Sequence, residues 1–194
     1  MMHIGLTGGM GSGKSLVCAV LGRMGVPVYY ADQRAGFLQD HDPGLRKDIA
    51  ALLGPEVYDG SRLNRSRVAA LVFSNPDLLA RLNALVHPLV RSDYLEWREA
   101  CSGVAYTVEE AAILFESGAA DLMDKTVVVT APEELRVQRV MRRDGLGEEE
   151  VRLRMARQMT EQRRIELADE LIVNDGQHLL LPRIVKLHEQ FMRQ

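Results

Sequence analysis

The sequence predicts an α/β fold in which a five-stranded parallel sheet carries helices on both faces. Short apolar runs alternate with stretches of helical periodicity along the 194 residues, which is typical of alternating strands and helices. The run around 127–129 is continuously apolar, as in a strand that is covered on both faces. A glycine-rich turn follows the first apolar run and leads directly into a helical pattern. Two helical stretches between strands are expected to leave the sheet as insertions.

Composition narrows the possible classes of function. With 46% hydrophobic and 26% charged residues, the chain has material for one packed domain. A net charge of −3 argues against a general nucleic-acid binder, which would be basic. No stretch approaches about 18 consecutive apolar residues, and no signal-peptide pattern precedes the first strand. The two cysteines, Cys18 and Cys101, lack metal-ligand spacing. We therefore expect a cytoplasmic protein without a nucleic-acid, membrane or obligate protein partner.

The glycine-rich turn has the spacing of a P-loop: Gly8, four residues, then Gly13-Lys14-Ser15. The backbone N–H groups of such a loop converge on a polyphosphate, and the following helix points its positive dipole end at the same group. Lys14 would reach the β- and γ-phosphates, and the Ser15 hydroxyl would ligate Mg²⁺. The alternative is a plain turn that joins a strand to a helix. A Rossmann dinucleotide site is excluded, because this sequence lacks the third glycine that such a site requires. The predicted ligand is a nucleoside triphosphate, bound by Gly9, Met10, Gly11, Ser12, Gly13, Lys14, Ser15 and Leu16.

The second strand is predicted at 26–30 and ends just before Asp32. In open parallel sheets ligands bind at the carboxyl edge, so Asp32 is expected on the same edge as the P-loop. Capping of a helix that begins at Gln33 explains this aspartate equally well.

The stretch 33–102 has helical patterns almost throughout. Asn75-Pro76 carries the signals of a helix start, and His87-Pro88 is expected to bend the chain between two helices. His87 is then either a structural hydrogen-bonding residue or a ligand contact. By analogy with other P-loop folds, a helical insertion at this place holds the second substrate.

The third strand is predicted at 104–108, with a continuation towards 116 that contains Glu110. A carboxylate at the catalytic edge is costly unless it serves a cation or hydrogen bonds, so Glu110 is a candidate to hold Mg²⁺ through water. A solvated strand end is the alternative. The fourth strand is predicted at 125–130, and Thr130 and Glu133 have the spacing of a capping box for the next helix.

An arginine-rich helical hairpin, interrupted at Gly145 and Gly147, follows the fourth strand. Guanidinium groups suit phosphate oxygens, so a few of these arginines are expected to contact the nucleotide. Arg139 and Arg143 are the first candidates because they precede the break. The alternative is a solvated charged surface, since glutamates are interspersed. A fifth strand at 170–174 and a final amphipathic helix complete the pattern.

Taken together, these motifs closely resemble those of the dephospho-CoA kinase family. The P-loop alone is shared with many kinases, but its combination with a Leu-Asn…His-Pro segment and an Arg-Asp start of the second insertion is far more specific. The resemblance covers nearly the whole chain, through the segments 4–15, 31–32, 82–88, 113–116, 143–146, 168–169 and 172–176.

The resemblance implies a P-loop, nucleotide-kinase-like fold and transfer of the ATP γ-phosphate, with Mg²⁺, to the ribose 3′-hydroxyl of dephospho-CoA in coenzyme A synthesis. It also implies a role for several residues. By this resemblance Asp32 is the base, Arg143 lies in the lid, Asn174 and Gly176 lie near adenine, and the His87-Pro88 region helps to form the acceptor site. From their positions in the sequence we further expect Lys14 and Arg139 at the reacting phosphate, and Arg91 and Glu110 with His87 and Asp32 around the acceptor.

The same resemblance divides the single kinase domain into a core (1–31, 103–141 and 166–194), an acceptor insertion (32–102) and a lid (142–165). Two positions depart from the family. Tyr30 stands where an acidic residue is frequent, and Ala112-Ile113-Leu114 replaces Pro-Leu-Leu. A kinase for a nucleoside or nucleotide, and a nucleotide sensor without turnover, are the alternative functions.

Overall fold

The computed structural model describes residues 1–73 and 75–193. The described chain forms two compact units. The first, called the sheet unit below, comprises Met1–Tyr30 and the chain from Cys101 onward, and the second, called the helical unit, comprises Ala31–Ala100.

The elements are numbered in chain order. The strands are β1 Met2–Thr7, β2 Val28–Tyr30, β3 Tyr58–Asp59, β4 Arg62–Leu63, β5 Tyr106–Glu110, β6 Lys125–Thr130 and β7 Glu170–Val173. The helices are α1 Lys14–Arg23, α2 Ala31–His41, α3 Pro43–Leu53, α4 Arg65–Val72, α5 Pro76–Ala100, α6 Glu133–Asp144, α7 Glu148–Met155, α8 Glu161–Leu167 and α9 Leu180–Met192.

The sheet unit is built on five parallel strands in the order β2-β5-β1-β6-β7. The α/β class and the five-stranded parallel sheet are therefore confirmed. The central strand β1 pairs with β5 and β6, so the turn that follows Thr7 leaves from the middle of the sheet. The strand predicted at 104–108 is β5, which lies two residues later in the sequence, and Glu110 is its last residue. Tyr30 of β2 pairs in register with Glu110.

The core of the sheet unit lies between the sheet and the helices α1 and α9. Alternate strand residues point to one face of a sheet, and here that face is apolar on every strand. This packing fixes the carboxyl ends of β1 and β5, where the glycine-rich turn begins and Glu110 lies. The almost fully buried members include Ile4, Leu6, Val17, Val108, Val127, Val129, Ile172 and Ile184.

The helices α6 and α7 form a hairpin in the sheet unit. Buried Val137, Val140 and Val151 hold the two helices together, and the partly buried Met10 of the P-loop packs against the same cluster. The hairpin is therefore anchored on the P-loop by apolar contact.

The helical unit has its own core. Its buried residues come from α3, α4 and α5, from the short 3₁₀ turn Pro55–Val57 and from the hairpin formed by β3 and β4. Arg46 on α3 donates to the carbonyl oxygens of Gly60 at 2.9 Å and Ser61 at 3.0 Å, which fixes the hairpin turn. The core members are Leu45, Ile49, Leu53, Val57, Leu63, Val68, Leu82 and Val86.

The division into two helices predicted at His87-Pro88 is wrong. Asn75 caps α5 as expected, with its Oδ1 accepting from the Leu78 N–H at 3.0 Å, but the helix then continues through Pro88 to Ala100. Proline inside a helix costs about 3 kcal/mol. Buried Val86 and Tyr94 pack on either side of it, and this tertiary packing outweighs the local preference.

The capping box predicted at Thr130 and Glu133 is also wrong. Thr130 is the last residue of β6, and Pro132 holds the N-cap position of α6, where no described side chain forms a cap hydrogen bond. The β3–β4 hairpin interrupts a stretch predicted as almost entirely helical. Among the described helices, none is long and apolar enough to span a bilayer.

Candidate active site

The P-loop joins β1 to α1 in the sheet unit. Gly13 holds the N-cap position of α1, and no side chain of residues 1–73 or 75–193 caps the first turn. Gly13 has a φ of 103°, in the left-handed region that favours glycine, and a Cβ there would overlap Nδ2 of Asn174. The N–H groups of the first turn and the helix dipole are thus available to an anion.

Asn174 and Arg139 hold the P-loop backbone. Asn174 Nδ2 donates to the Ser12 carbonyl oxygen at 2.8 Å, and this hydrogen bond is buried. Arg139 donates to the carbonyl oxygens of Gly11 at 3.3 Å, Ser12 at 3.4 Å and Asn174 at 3.2 Å, and to the Asn174 side-chain oxygen at 3.3 Å. Both side chains therefore fix the carbonyl groups of the loop.

Lys14 lies beside a buried carboxylate. Its Nζ donates to the Gly8 carbonyl oxygen at 2.9 Å and lies 4.0 Å from Glu110 Oε1. Glu110 is only 8% exposed and ends β5. A buried carboxylate is stable when a cation neutralises it, and Lys14 does so here. The lysine ammonium that follows the loop and the carboxylate that ends β5 therefore lie side by side.

The Ser15 hydroxyl and the Glu110 carboxylate have the oxygen chemistry that would suit Mg²⁺ together with phosphate oxygens. Among the described residues, no cluster of three or more histidine, cysteine, aspartate or glutamate side chains could hold a metal without further ligands. Mg²⁺ usually takes one or two carboxylates together with phosphate oxygens and waters, so such a cluster is not needed. The exposed Ser15 hydroxyl in the first turn of α1 and the Glu110 carboxylate supply that donor set.

Arg143 is the most exposed of the predicted phosphate contacts. Its side chain is 64% exposed and forms a two-bonded ion pair with Asp144, at 2.7 Å from Nε and 2.9 Å from Nη2. This pairing raises the pKa of Arg143, mainly through the hydrogen bonds to Asp144.

The turn after β7 contains Gly176, which has a φ of 75°. The preceding Asp175 accepts from the N–H groups of Gln177 and His178, each at 3.0 Å, and from the His178 ring. These hydrogen bonds, first among them the one from the His178 N–H, hold the pKa of Asp175 well below its usual range. Asp175 therefore stabilises the turn that presents Gly176.

Two buried arginines that were not predicted as site residues lie against the P-loop. Arg136 is 7% exposed and Arg164 is 2% exposed, and both side chains flank Gly9. A signal was present in the sequence, since Arg136 lies one turn before the core residue Val140 on α6. A charged residue on the apolar face of a helix indicates a specific buried partner.

Glu109 is a further buried charged residue that was not predicted from the sequence as part of the site. It precedes Glu110 in β5, is 3% exposed, and its Oε2 has no hydrogen-bond partner among the described residues. Burial raises the pKa of Glu109 to about 7. This carboxyl therefore holds its proton below neutral pH.

The helical unit contains the remaining predicted site residues. Asp32 lies in the first turn of α2, which begins at Ala31, so it does not cap a helix that begins at Gln33. Its side chain is exposed and makes no hydrogen bond or ion pair with the residues that the structure describes. Half-buried His87 and exposed Arg91 lie one turn apart on α5, and burial lowers the pKa of His87.

An ion pair joins the helix of Asp32 to the helix of His87. Arg34 of α2 donates to Asp93 of α5 from Nε at 2.8 Å and from Nη2 at 2.5 Å. A bidentate pair of this kind fixes orientation as well as distance. The two helices that carry the predicted acceptor residues are therefore tied together.

A glycine-rich loop that ends in a lysine at a helix start, on a five-stranded parallel sheet, defines a P-loop fold of the nucleotide-kinase-like type. A solved shikimate kinase from Bacteroides thetaiotaomicron shares this fold, with a TM-score of 0.56, 16% identity and 97% coverage of each chain.

The chain belongs to the dephospho-CoA kinase family, whose family model matches residues 2–179. The dephospho-CoA kinase of Porphyromonas gingivalis is 43% identical over 190 residues, covering 97% of this chain and 94% of that protein. The corresponding kinase of Chlorobaculum tepidum is 44% identical over 180 residues, covering 89% and 86%. A crystal structure from Thermus thermophilus has a TM-score of 0.87 and 37% identity, covering 97% and 96%. The resemblance drawn from the sequence and the assignment to ATP-dependent kinases are confirmed.

Proposed function

We propose that this chain transfers the γ-phosphate of ATP to the ribose 3′-hydroxyl of dephospho-CoA and releases CoA and ADP. The observation that supports this most directly is the P-loop of a dephospho-CoA kinase family member, with Lys14 Nζ at 4.0 Å from the buried Glu110 carboxylate. A loop that only connected a strand to a helix would have no use for a lysine and a buried carboxylate side by side.

The nucleotide binds to the loop backbone and to Lys14. Phosphoryl transfer depends on positioning and on neutralising the phosphate charge, which the loop N–H groups, the α1 dipole and Lys14 supply. Asn174 and Arg139 contribute by keeping the loop carbonyls fixed, which preserves the direction of the N–H groups. A role of Asn174 and Gly176 near adenine stays part of the proposal.

Ser15 and Glu110 hold Mg²⁺ in this proposal. Mg²⁺ held by Ser15 and Glu110 would neutralise negative charge on phosphate oxygens of the nucleotide. Glu110 is already buried next to the loop, so it needs no large movement to reach a cation there. Arg143 would contact the phosphate by exchanging Asp144 for a phosphate oxygen.

The helical unit provides the acceptor site. Asp32 accepts the proton of the 3′-hydroxyl as general base, and His87 and Arg91 contact the acceptor nucleotide. The exposure of the Asp32 carboxylate, which no described residue engages, supports this role. A cytoplasmic location, where ATP is made and used, accompanies this activity.

The acceptor is tested by measuring ADP release with dephospho-CoA, AMP, adenosine and no acceptor. We expect dephospho-CoA to support a far higher kcat/KM than AMP or adenosine. A preference for AMP would replace the proposal with a nucleotide kinase. Absence of acceptor-dependent release, with ATP still bound, would replace it with a nucleotide sensor.

The base role of Asp32 is tested by two substitutions. Asp32→Asn keeps the size of the side chain but removes the carboxylate, so kcat should fall by about 10²–10⁴ while ATP affinity stays unchanged. Asp32→Glu keeps the carboxylate and should retain more activity than Asp32→Asn. Near-normal turnover of Asp32→Asn would exclude the general-base role.

A further inference from the structure

A buried polar cluster lies against the P-loop and consists of Arg136 on α6 with Glu161 and Arg164 on α8. Arg164 Nη1 donates to Glu161 Oε2 at 2.9 Å, and Arg136 Nη1 lies 3.6 Å from the same oxygen. The arginine side chains are 8% and 2% exposed. Because one carboxylate faces two guanidinium groups, the cluster carries a net positive charge.

The cluster contains more hydrogen-bond donors than the protein satisfies. Among the described residues, no partner contacts Nε of Arg136 or Nε and Nη2 of Arg164, and Oε1 of Glu161 is also unpaired. A buried charged donor without a partner is unfavourable. Three unpaired N–H-bearing nitrogens beside a single shared carboxylate indicate a site for an anion.

The cluster touches the loop at Gly9. A Cβ at this position would overlap Arg136 Nη1 and would lie 3.1 Å from Arg164 Nη1 and 3.2 Å from Glu161 Oε2. Only glycine allows the guanidinium groups to approach the loop so closely. The next residue, Met10, donates its N–H to Gln158 Oε1 at 2.9 Å, so the chain just before α8 is also fixed on the loop.

We propose that Arg136 and Arg164 form an anion site that binds phosphate oxygens of the nucleoside triphosphate held by the P-loop. The planar guanidinium fork matches phosphate oxygens, and both forks lie beside a loop whose N–H groups take a polyphosphate. Glu161 keeps the two forks together through its shared Oε2. This inference rests on the proposed function for the identity of the nucleotide. The pyrophosphate of the acceptor has the same oxygen chemistry, and the test separates the two sources.

The test measures binding of inorganic tripolyphosphate and, separately, of dephospho-CoA to the full chain by calorimetry. Arg164→Gln should weaken tripolyphosphate binding by about 10-fold or more, the usual effect of losing a charged hydrogen bond, and Arg136→Gln should act in the same direction. Arg163→Gln is the matched control on α8, since Arg163 is 58% exposed and pairs with Glu166. It should bind tripolyphosphate like the unaltered protein.

Thermal melting of the ligand-free proteins, compared with the titration, separates an anion site from a structural brace. Arg164→Gln removes the buried ion pair with Glu161, so its ligand-free melting temperature should fall in either case, but only an anion site loses tripolyphosphate affinity as well. A lower melting temperature with unchanged tripolyphosphate affinity would make the cluster a brace and overturn the proposal. If Arg164→Gln does not fold, Arg164→Lys decides in the same titration, because it keeps the charge and loses the fork: weaker binding supports the site and unchanged binding refutes it.

The remaining outcomes are also decisive. A loss confined to dephospho-CoA binding would assign the cluster to the acceptor and contradict the proposal. Turnover of dephospho-CoA by the unaltered protein, measured in parallel, tests the proposed function separately. An inactive protein that still loses tripolyphosphate affinity with Arg164→Gln would refute that function and leave the anion site standing.

Discussion

Asn174 offers a sharp test, because the sequence and the structure assign it different roles. The family resemblance implies that it lies near adenine. In the structure its Nδ2 donates to the Ser12 carbonyl oxygen, and its side chain occupies the space that a Cβ at Gly13 would need. A base contact affects only nucleotides that carry adenine. A loop contact affects every polyphosphate ligand.

The perturbation is Asn174→Ala, and its size follows from the hydrogen bonds that it removes. Loss of a buried hydrogen-bond partner lowers the free energy of unfolding by about 1–3 kcal/mol. Arg139 Nη1 remains 3.4 Å from the Ser12 oxygen, so this carbonyl keeps a donor and we expect the lower part of that range, about 1–2 kcal/mol. For a chain of this length the melting temperature should fall by about 2–8 °C.

The assay compares the affinities of ATP, GTP and tripolyphosphate for the unaltered protein and for Asn174→Ala. We expect the affinity for all three ligands to fall, because the Asn174 side chain holds the loop that binds their phosphates, and an additional loss for ATP alone would report the adenine contact. The control is Gln177→Ala, a change at an exposed residue of the following turn, which should alter none of them. A loss of affinity for ATP with unchanged affinity for tripolyphosphate would refute the role of Asn174 in holding the loop.

Three further predictions concern charge at the site. Lys14→Ala should abolish turnover at saturating ATP, measured as ADP release, and retained turnover would remove the P-loop lysine from the mechanism. EDTA should stop ADP release and added Mg²⁺ should restore it, whereas metal-independent turnover would contradict the roles of Ser15 and Glu110. The pKa of Glu109 is raised from 4.5 to about 7, so the folded state keeps a proton that the unfolded state loses. Stability should therefore fall by about 3 kcal/mol as pH rises from 4.5 to 7. In denaturant titrations Glu109→Gln should lack this fall, and an equal pH dependence of both proteins would refute it.

The sequence was sufficient for the parts of the fold that depend on local pattern. The P-loop, the strands and the Asn75 cap have spacings that few other structures satisfy, and the structure has the predicted class of sheet and this cap. It was insufficient where packing opposes local preference. Pro88 predicts a break, yet buried residues on both sides keep α5 continuous. Thr130 has capping-box spacing, yet pairing with Val173 makes it the end of a strand.

The residues of the candidate site also divide into those that local sequence pattern predicts and those that it does not. Lys14 and Glu110 were selected because their positions follow directly from the P-loop and from the end of a strand. Arg136 and Arg164 were not, because about half of the arginines in that segment are exposed and composition does not distinguish buried from solvated guanidinium groups. Their significance depends on Gly9 and Glu161, which lie far from Arg136 in sequence and next to it in space.

The position of the transferred phosphate tests the central claim most directly. Dephospho-CoA is incubated with ATP, Mg²⁺ and the protein, and the product is compared by chromatography and phosphorus NMR with CoA and with its 2′-phosphate isomer. The proposed function predicts a single product identical to CoA, formed together with an equal amount of ADP. A 2′-phosphate, a phosphate elsewhere on the acceptor, or ADP formed without any acceptor product would contradict it.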